Sequence, residues 1–497
     1  MNIREHVQQD KKKILEDIGI FLIIIICIAH IILSKKIGDL DEIWNYNFAN
    51  CIAKGMVPYK DFNIVITPLL AIIESIFLRI NNQLLTIRIL SVLLNSSIVF
   101  LIYKTLEKLK INRGASIIAT AIISYIIKDY FCIDYNWFVL FLSLIIINIE
   151  FNKFKSNNVK NIIIGILAGM CVCTKQTTGA LICFAIIVYR IIIAIKTKQK
   201  NEIKKIIFTI IGMAIPTVML LIYLVANGAI NGFIDYCILG IKTFNNKISY
   251  VNLIKSNLIS IKILAIIVPI SMILLLIHSI IKKDKKTLFI NFIGIANFIV
   301  TFPISDNIHF LIGSIITIIG IMHLLNLYTK DVLKNKKIKI FLKFFCEYLS
   351  IAILILATIW GIYKNYQYIK KEKNYSTLKH FENIDISKSL EKTIQNVENY
   401  IKSSDKKVYI IDSDAALYNI PIDIYNKDFD MFNKGNLGGK GEEGQIEKIQ
   451  NMSNVQILIR KDGLKRNWQT PETVRKYIQE NLEKQGSIEN FDIYYKE

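Results

Sequence analysis

The sequence predicts a polytopic α-helical membrane protein with about eleven transmembrane helices and a small α/β domain at the C-terminus. The 497 residues are 53% hydrophobic and have a mean hydropathy of +0.41, which is too apolar for a soluble chain of this length. Apolar runs of about 16 to 25 residues recur from Ile18 to Trp360, and that length crosses a hydrocarbon core of ~30 Å. The runs lack the period-two alternation of a membrane barrel, so we expect each to be a helix.

The charge and the cysteines exclude other classes. The net charge of +21 comes from lysines in short clusters between apolar runs, which is where membrane topology places them, so we expect no nucleic-acid partner. The eight cysteines have no metal-ligand spacing, and Cys171 and Cys173 lie within one predicted span. The last hundred residues contain no cysteine, so no disulfide framework is predicted.

The basic clusters predict the topology. They lie at 11–13, 104–113, 153–160, 196–205, 282–286 and 330–339. Placing all of them on the cytoplasmic side requires one outward excursion between each consecutive pair. The spans that satisfy this are 18–33, 86–106, 114–130, 136–150, 161–174, 178–196, 204–226, 257–281, 287–302, 308–328 and 341–361. The N-terminus is then cytoplasmic, the first span is an uncleaved anchor, and the tail lies outside.

One apolar segment, 65–80, does not fit as a span, because it would invert every later loop. It is short, carries Glu74 and Arg79, and begins near Pro68. We expect it to lie along or dip into the outer interface.

This topology places many acidic side chains on the outer face. They are Asp39, Asp41, Glu42, Asp61, Asp129, Asp134, Asp235 and Asp306. Polar groups at membrane depth are costly and usually functional. A set that converges on one face predicts a single outward-facing site.

The first outer loop, 35–80, contains the strongest candidates. Asp41 and Glu42 open a short helix in which Trp44, Phe48 and Ile52 recur at helical spacing. Acidic residues in a first helical turn are favourable to the helix dipole, so a capped interfacial helix is the simple alternative explanation.

The loop as a whole carries a family pattern. Asp41-Glu42 is followed by Tyr46, Ala49, Gly55, Pro58-Tyr59, Asp61-Phe62 and Thr67-Pro68-Leu69, and Arg88 leads the next span. This set resembles the first external loop of membrane glycosyltransferases with the GT-C fold, which include protein O-mannosyltransferases and aminoarabinose transferases. The resemblance implies that Asp41 is the general base and that the donor is a polyprenyl-phosphate-linked sugar.

The sequence departs from this pattern at one point. Aminoarabinose-type enzymes have a Lys before Pro-Pro-Leu, whereas this chain has Ile66-Thr67-Pro68-Leu69. The cation expected to meet the lipid phosphate is therefore absent there. Lys60, Arg88, Lys175 and His309 remain as candidates.

Three further outer segments are candidates for the same site. Asp134 and Asn136 follow a Lys128-Asp129-Tyr130 turn, and the resemblance implies that Asp134 lines the site. An aromatic interface belt would explain the same residues. The other candidates are Lys175 and Gln176 at a hairpin tip, and Asp306 and His309 at a helix start. A solvated turn and a helix cap are the respective alternatives.

The tail, 364–497, is predicted to be a separate soluble α/β domain. Predicted strands cover 408–412, 455–460 and 491–495, and predicted helices cover 385–402 and 471–485. The glycine-rich run 435–444 lacks the context of a phosphate loop, so we predict a flexible loop. Asn467-Trp468-Gln469 offers one aromatic ring for sugar stacking.

The favoured function is an inverting glycosyltransferase. It would transfer a sugar from a polyprenyl-phosphate donor to an extracytoplasmic acceptor, namely a protein, a wall polymer or a glycolipid. The predicted catalytic residues are Asp41 and Glu42, and the predicted substrate-binding residues are Tyr59, Lys60, Asp61, Arg88, Asp134, Asn136, Lys175, Gln176, Asp306 and His309. No metal is required, although a divalent cation is compatible with the many carboxylates. The alternatives are a flippase for lipid-linked sugars and a surface-binding protein anchored by its spans.

Overall fold

A computed structural model describes residues 3–38, 40–332, 336–371, 373–465 and 469–497. Three residues considered above, Asp39, Asn467 and Trp468, lie outside these ranges. The N-terminal part is helical throughout. Its helices are α1 (Ile3–Leu33), α2 (Leu40–Ala53), α3 (Leu69–Leu78), α4 (Leu84–Lys108), α5 (Arg113–Ile127), α6 (Tyr135–Phe151), α7 (Asn157–Thr174), α8 (Gln176–Thr197), α9 (Lys200–Ala226), α10 (Ile230–Phe233), α11 (Gly240–Thr243), α12 (Val251–Ile254), α13 (Ile259–Ile281), α14 (Lys285–Phe298), α15 (Asn307–Val332) and α16 (Lys336–Lys370).

Helices occupy every predicted span. Within the described residues, eight helices are long and apolar enough to cross a membrane, namely α1, α4, α7, α8, α9, α13, α15 and α16. The other three predicted spans are the shorter helices α5, α6 and α14, of 15, 17 and 14 residues. The protein is therefore a polytopic helical membrane protein, as predicted. The 10-residue α3 is too short to cross, in line with the expected interfacial helix.

Side-chain contacts bring two of the six predicted inner clusters, 104–113 and 282–286, together at one end of the bundle. The ammonium group of Lys104 in α4 lies 2.7 Å from a carboxylate oxygen of Asp17 in α1. Lys108 donates to the carbonyl of Asn148 at 2.9 Å, and Lys286 donates to the carbonyl of Lys108 at 3.1 Å. These contacts join the middle of α1 to the ends of α4, α6 and α14. Which face is cytoplasmic remains a prediction from the lysine count.

Glycines allow close helix packing on the side of the bundle that carries Lys175. A Cβ added to Gly165 of α7 or to Gly212 of α9 would overlap the backbone of the other helix. A Cβ on Gly179 in the first turn of α8 would overlap the backbone at the end of α7. Small residues at such contacts let helices approach closely. The tight α7–α8 hairpin therefore presents Lys175 at its tip.

The C-terminal part is an α/β domain with one four-stranded sheet. It contains α17 (Lys388–Ser403), β1 (Lys407–Ile410), α18 (Ala415–Asn419), α19 (Gly441–Gln450), β2 (Val455–Arg460), α20 (Glu472–Asn481), β3 (Glu483–Ile488) and β4 (Phe491–Lys496). The strand order is β1-β2-β4-β3, with β1 and β2 parallel and the other pairs antiparallel. The three predicted strands are present. The edge strand β3 was not predicted, because its sequence EKQGSI is polar and five of its six residues are exposed. The predicted helix 471–485 was too long at its end, since α20 stops at Asn481 and residues 483–485 belong to β3.

The α/β domain packs on the first outer loop. The indole of Trp44 in α2 donates to the carbonyl of Ser413 at 2.8 Å. The amide of Asn63 donates to a carboxylate oxygen of Asp428 at 2.6 Å. The domain and the first outer loop therefore lie on the same face of the bundle, opposite the lysine clusters.

Candidate active site

A cavity of about 380 Å³ opens on the face that carries the outer loops. Six segments from distant parts of the sequence line it: the first outer loop, the start of α6, the α7–α8 turn, the segment after the π-helical turn 234–239, the loop 299–304 and the start of α15. Its apolar wall consists of Val65, Ile66, Ile241, Phe244, Ile299, Val300, Phe302, Pro303 and Ile304. Its basic side chains are Lys175, Lys242, Lys247 and His309.

Lys175 is the cation that the structure places best. It lies between α7 and α8, and its ammonium group donates to Oδ1 of Asn136 at 2.7 Å. The same group lies 5.2 Å from the centre of the Tyr135 ring. Burial lowers the pKa of Lys175 to about 8, and the nearby charge of Asp134 opposes this shift. Lys175 is therefore positively charged near neutral pH at the edge of the cavity.

Asp134 holds the start of α6 beside Lys175. It is the N-cap residue, and its Oδ1 accepts hydrogen bonds from the backbone N–H groups of Asn136 at 2.7 Å and Trp137 at 2.9 Å. Burial raises the pKa of Asp134 above its usual value, against the opposing effects of these N–H donors and of the charges on His309 and Lys175. Asp134 thus joins the α6 start, the α7–α8 turn and the α15 start into one polar cluster.

Asp306 orients His309. Its Oδ1 accepts from the His309 backbone N–H at 2.9 Å and lies 2.8 Å from Nδ1 of the same residue. Burial would raise the pKa of Asp306, but the hydrogen bonds and charge of His309 outweigh it, so the pKa lies below its usual value. His309 lines the cavity while Asp306 supports it from the side.

Three of the eight predicted outer acids lie around a side chain that the sequence reasoning left out, Tyr135, and the other described ones do not. The charges of Asp41, Asp134 and Asp306 all act on its phenol. Tyr135 lines the cavity together with Lys175. The three outer loops that carry these acids are therefore close together in space. The position of Tyr135 between the candidates Asp134 and Asn136 was the sequence signal that could have identified it.

Asp41 and Glu42 are adjacent in sequence but have different surroundings. Glu42 is bound by Arg88 through two hydrogen bonds of 2.8 and 2.9 Å, and Arg88 also donates to the carbonyl of Lys35 at 2.6 Å. The Arg88 side chain is 1% exposed and does not line the cavity. Arg88 is therefore a partner for Glu42 rather than a cation at the cavity. Asp41 is half-buried in the first turn of α2, within electrostatic range of Tyr135.

Three predicted binding residues in the first loop do not line the cavity. Tyr59 is buried, and its hydroxyl donates to the carbonyl of Ile66 at 2.5 Å. Asp61 accepts from the backbone N–H of Val57 at 2.7 Å, which closes a turn. Lys60 is exposed. Tyr59 and Asp61 therefore shape the loop, and Lys60 is not the cation of this cavity.

Gln176 lines the cavity and ties two of its walls together. Its amide nitrogen donates to the carbonyl of Val65 at 2.9 Å and to the carbonyl of Cys237 at 3.0 Å. One side chain thus fixes the first outer loop against the π-helical turn. These contacts support a structural role for its amide nitrogen.

Residues 240–250 form a strap along the cavity. At one end, Ile248 and the segment Pro303–Ser305 exchange backbone hydrogen bonds of 3.1 Å. Near the other end, the hydroxyl of Thr243 donates to the carbonyl of Gly438 at 2.7 Å. The strap carries Lys242 and Lys247, which the sequence reasoning did not consider because they lie outside the six basic clusters.

The glycine-rich run of the α/β domain is packed rather than isolated from the rest of the chain. The backbone N–H of Gly439 donates to Oδ1 of Asp235 at 2.9 Å, and Gly438 adopts a positive φ of 74°. The end of the run opens α19. The prediction of a flexible loop therefore missed its role, which is to hold the π-helical turn and the strap.

The described residues contain no group of three or more His, Cys, Asp or Glu side chains arranged to hold a metal ion. The carboxylates of Asp134 and Asp306 are not in the lining of the cavity, and each accepts a hydrogen bond from a backbone N–H group beside it.

No family model matches the sequence, and no curated protein matches it either. Solved structures do match. The aminoarabinose transferase ArnT from Cupriavidus metallidurans bound to undecaprenyl phosphate aligns with a TM-score of 0.53 at 9% identity, over 97% of this chain and 98% of that chain. The same enzyme in the apo state aligns with a TM-score of 0.52 at 10% identity, over 98% of both chains. The chain has the GT-C fold. The resemblance predicted from the first outer loop is thus confirmed at the level of the fold.

Proposed function

We propose that this protein is an inverting glycosyltransferase that moves a sugar from a polyprenyl-phosphate donor to an extracytoplasmic acceptor. The observation that carries the proposal is the cavity in which Lys175 and His309 face an apolar wall beside the three acids around Tyr135. A protein with the same fold has been crystallised with undecaprenyl phosphate. The N-terminus would be cytoplasmic, and the α/β domain, 364–497, would lie outside.

The donor phosphate is placed at Lys175. A charge-assisted hydrogen bond from an ammonium group to a phosphate oxygen is short and strong, and it also stabilises the leaving phosphate as the glycosidic bond breaks. Lys242, Lys247 and His309 add positive charge along the same cavity. The prenyl chain would follow the apolar wall toward the lipid, past Phe302.

Asp41 is assigned as the general base. An acceptor hydroxyl attacks the anomeric carbon, its proton passes to the Asp41 carboxylate, and the bond from that carbon to the phosphate oxygen breaks to release polyprenyl phosphate. Glu42 and Arg88 hold the helix that presents Asp41, because their ion pair joins α2 to α4. Asp134 positions Asn136, which holds Lys175, and Asp306 positions His309 beside the donor.

Comparison of Asp41→Asn with Asp129→Asn in the purified protein tests this proposal. Both are outer acids, but the Asp129 side chain is 73% exposed and pairs only with its neighbour Lys128 among the described residues. With a polyprenyl-phosphate sugar as donor, Asp41→Asn is expected to slow release of polyprenyl phosphate by about 10²- to 10⁴-fold. Asp129→Asn should leave the rate unchanged.

Equal rates for the two variants and the wild type would remove Asp41 from the role of base. If a panel of donors yields no polyprenyl phosphate but the protein moves labelled donor across vesicle membranes, the flippase alternative replaces the transferase. Repeating the release assay with EDTA shows whether the reaction requires a divalent cation.

A further inference from the structure

A second cavity, of about 430 Å³, lies at the outer ends of α1 and α16. Four lysines line it, namely Lys364, Lys370, Lys371 and Lys373, and Asp385 is its one acidic lining residue. On the predicted topology these lysines are on the outer side. The cavity therefore concentrates positive charge at one outer membrane interface.

The four ammonium groups are only partly balanced by negative charge within the described part of the chain, because the charge of Asp385 acts on Lys373 but from more than 4.0 Å away. No described carboxylate oxygen lies within 4.0 Å of any of them. Lys370 lies over the ring of Tyr366 at 4.9 Å, and the ammonium group of Lys373 is buried against the ring of Tyr368 without a hydrogen-bond acceptor. Clustered like charges repel one another, so this arrangement favours a bound anion.

An apolar groove of about 250 Å³ lies next to this basic cavity, between α1, α4, α5 and α16. Its lining includes Ile24, Ile28 and Leu354. The two spaces adjoin, because His30 of the basic cavity packs against Trp360 of the groove with ring centres 4.8 Å apart. Both spaces lie along helices that qualify as membrane spans.

We infer that these two spaces together bind one anionic glycerophospholipid. Its phosphate-bearing headgroup would meet the lysines at and just after the end of α16, and an acyl chain would lie in the groove beneath. The site shares no lining residue with the donor cavity among the described residues, so it is a separate site. It does not depend on the proposed transferase activity.

The location of the groove indicates what the lipid does. Phe131 and Lys128 line its outer end, and they belong to the loop that leads to Asp134. The ammonium group of Lys35 donates to the carbonyl of Phe131 at 2.5 Å. A lipid held in the groove therefore packs beside the loop that shapes the donor cavity, as a resident lipid rather than as a substrate.

Native mass spectrometry of the full purified chain tests this inference. The protein is offered equal amounts of phosphatidylglycerol and phosphatidylcholine with the same acyl chains. Wild type is expected to bind the anionic lipid at least tenfold better. Lys364→Gln, Lys370→Gln and Lys371→Gln together should lower binding of that lipid on the order of 100-fold, roughly fivefold per lysine.

Two further variants keep the test decisive. A control that replaces three exposed lysines of the α/β domain, Lys388, Lys392 and Lys427, by Gln removes the same charge and should keep the wild-type preference. Ala121→Phe fills the groove without changing any charge, and it should weaken binding of both lipids.

Equal binding of the two lipids by wild type would overturn the inference. An unchanged preference in the triple variant of Lys364, Lys370 and Lys371, or an equal loss in the control triple variant, would do the same. A bound lipid that gains the mass of a sugar after incubation with donor would be a substrate, which would refute the resident role.

Discussion

Replacement of Lys175 by Gln should weaken donor binding more than any other single loss of charge at the outer cavity. Lys175 is held by Asn136 and lies over the Tyr135 ring, so its ammonium group is already positioned for the phosphate. A hydrogen bond to a charged group contributes about 1.5–3 kcal/mol, which corresponds to a roughly 10- to 150-fold increase in KM for the donor. Lys60→Gln, an exposed lysine away from the cavity, is the matched control and should leave KM unchanged.

The same residue predicts a pH dependence. Burial lowers the pKa of Lys175 to about 8, so the side chain is protonated below that value and loses its charge as the pH rises through it. In the free enzyme, kcat/KM for the donor should therefore fall about tenfold per pH unit above pH 8. Lys175→Arg keeps its charge throughout this range, so its profile should stay flat.

Steady-state release of polyprenyl phosphate between pH 6.5 and 9.5 is the assay. The reasoning is refuted if wild type and Lys175→Arg lose activity in parallel above pH 8. It is also refuted if Lys175→Gln matches Lys60→Gln in KM at pH 7.

Two other contacts give predictions of their own. Glu42→Gln leaves the buried Arg88 without its counter-charge, so it is expected to lower the free energy of unfolding by about 3–5 kcal/mol. The control Asp129→Asn should change the free energy of unfolding by less than about 0.5 kcal/mol. Thermal unfolding in detergent compares the two variants. Thr243→Val removes the hydrogen bond from the strap to Gly438, so KM for the donor should rise about two- to tenfold with little change in kcat. Equal unfolding temperatures for the two acid variants, or an unchanged KM in Thr243→Val, would contradict these contacts.

The helices of the membrane domain were predictable because each span is a continuous apolar run in the sequence. The lysine clusters then predicted which loops lie on the same side of the membrane, and the contact of Lys104 with Asp17 agrees with that prediction. The strands 455–460 and 491–495 were predictable because their own short sequences are rich in strand-forming residues. The edge strand β3 was not, because its pairing with β4 rather than its composition makes it a strand.

The partners of charged side chains were not predictable, since they depend on tertiary contacts. Arg88 and Glu42 are 46 positions apart, and nothing in either local sequence shows that they neutralise one another. Lys175 and Asn136 meet in the same way across 39 positions. The sequence could therefore place Arg88 and Lys175 among the candidates on the outer face but could not choose between them.

The contacts of the strap, residues 240–250, were also not predictable, because they join segments that are far apart in the sequence. The run 435–444 has the composition of a flexible loop, and only its packing against Asp235 and Thr243 reveals a supporting role. Lys242 lay outside every basic cluster, yet it lines the cavity. Lysines near membrane spans are usually cytoplasmic, so a lysine in a predicted outer loop, such as Lys242, is a candidate for binding an anion. The sequence contained this signal.

The position of a bound polyprenyl phosphate tests the central claim most directly. Cryo-electron microscopy of the full chain with undecaprenyl phosphate should show the phosphate about 3 Å from the ammonium nitrogen of Lys175, with the chain leaving past Phe302. Density for the phosphate among Lys364, Lys370 and Lys371 instead, with the outer cavity beside Tyr135 empty, would contradict the assignment of the donor site.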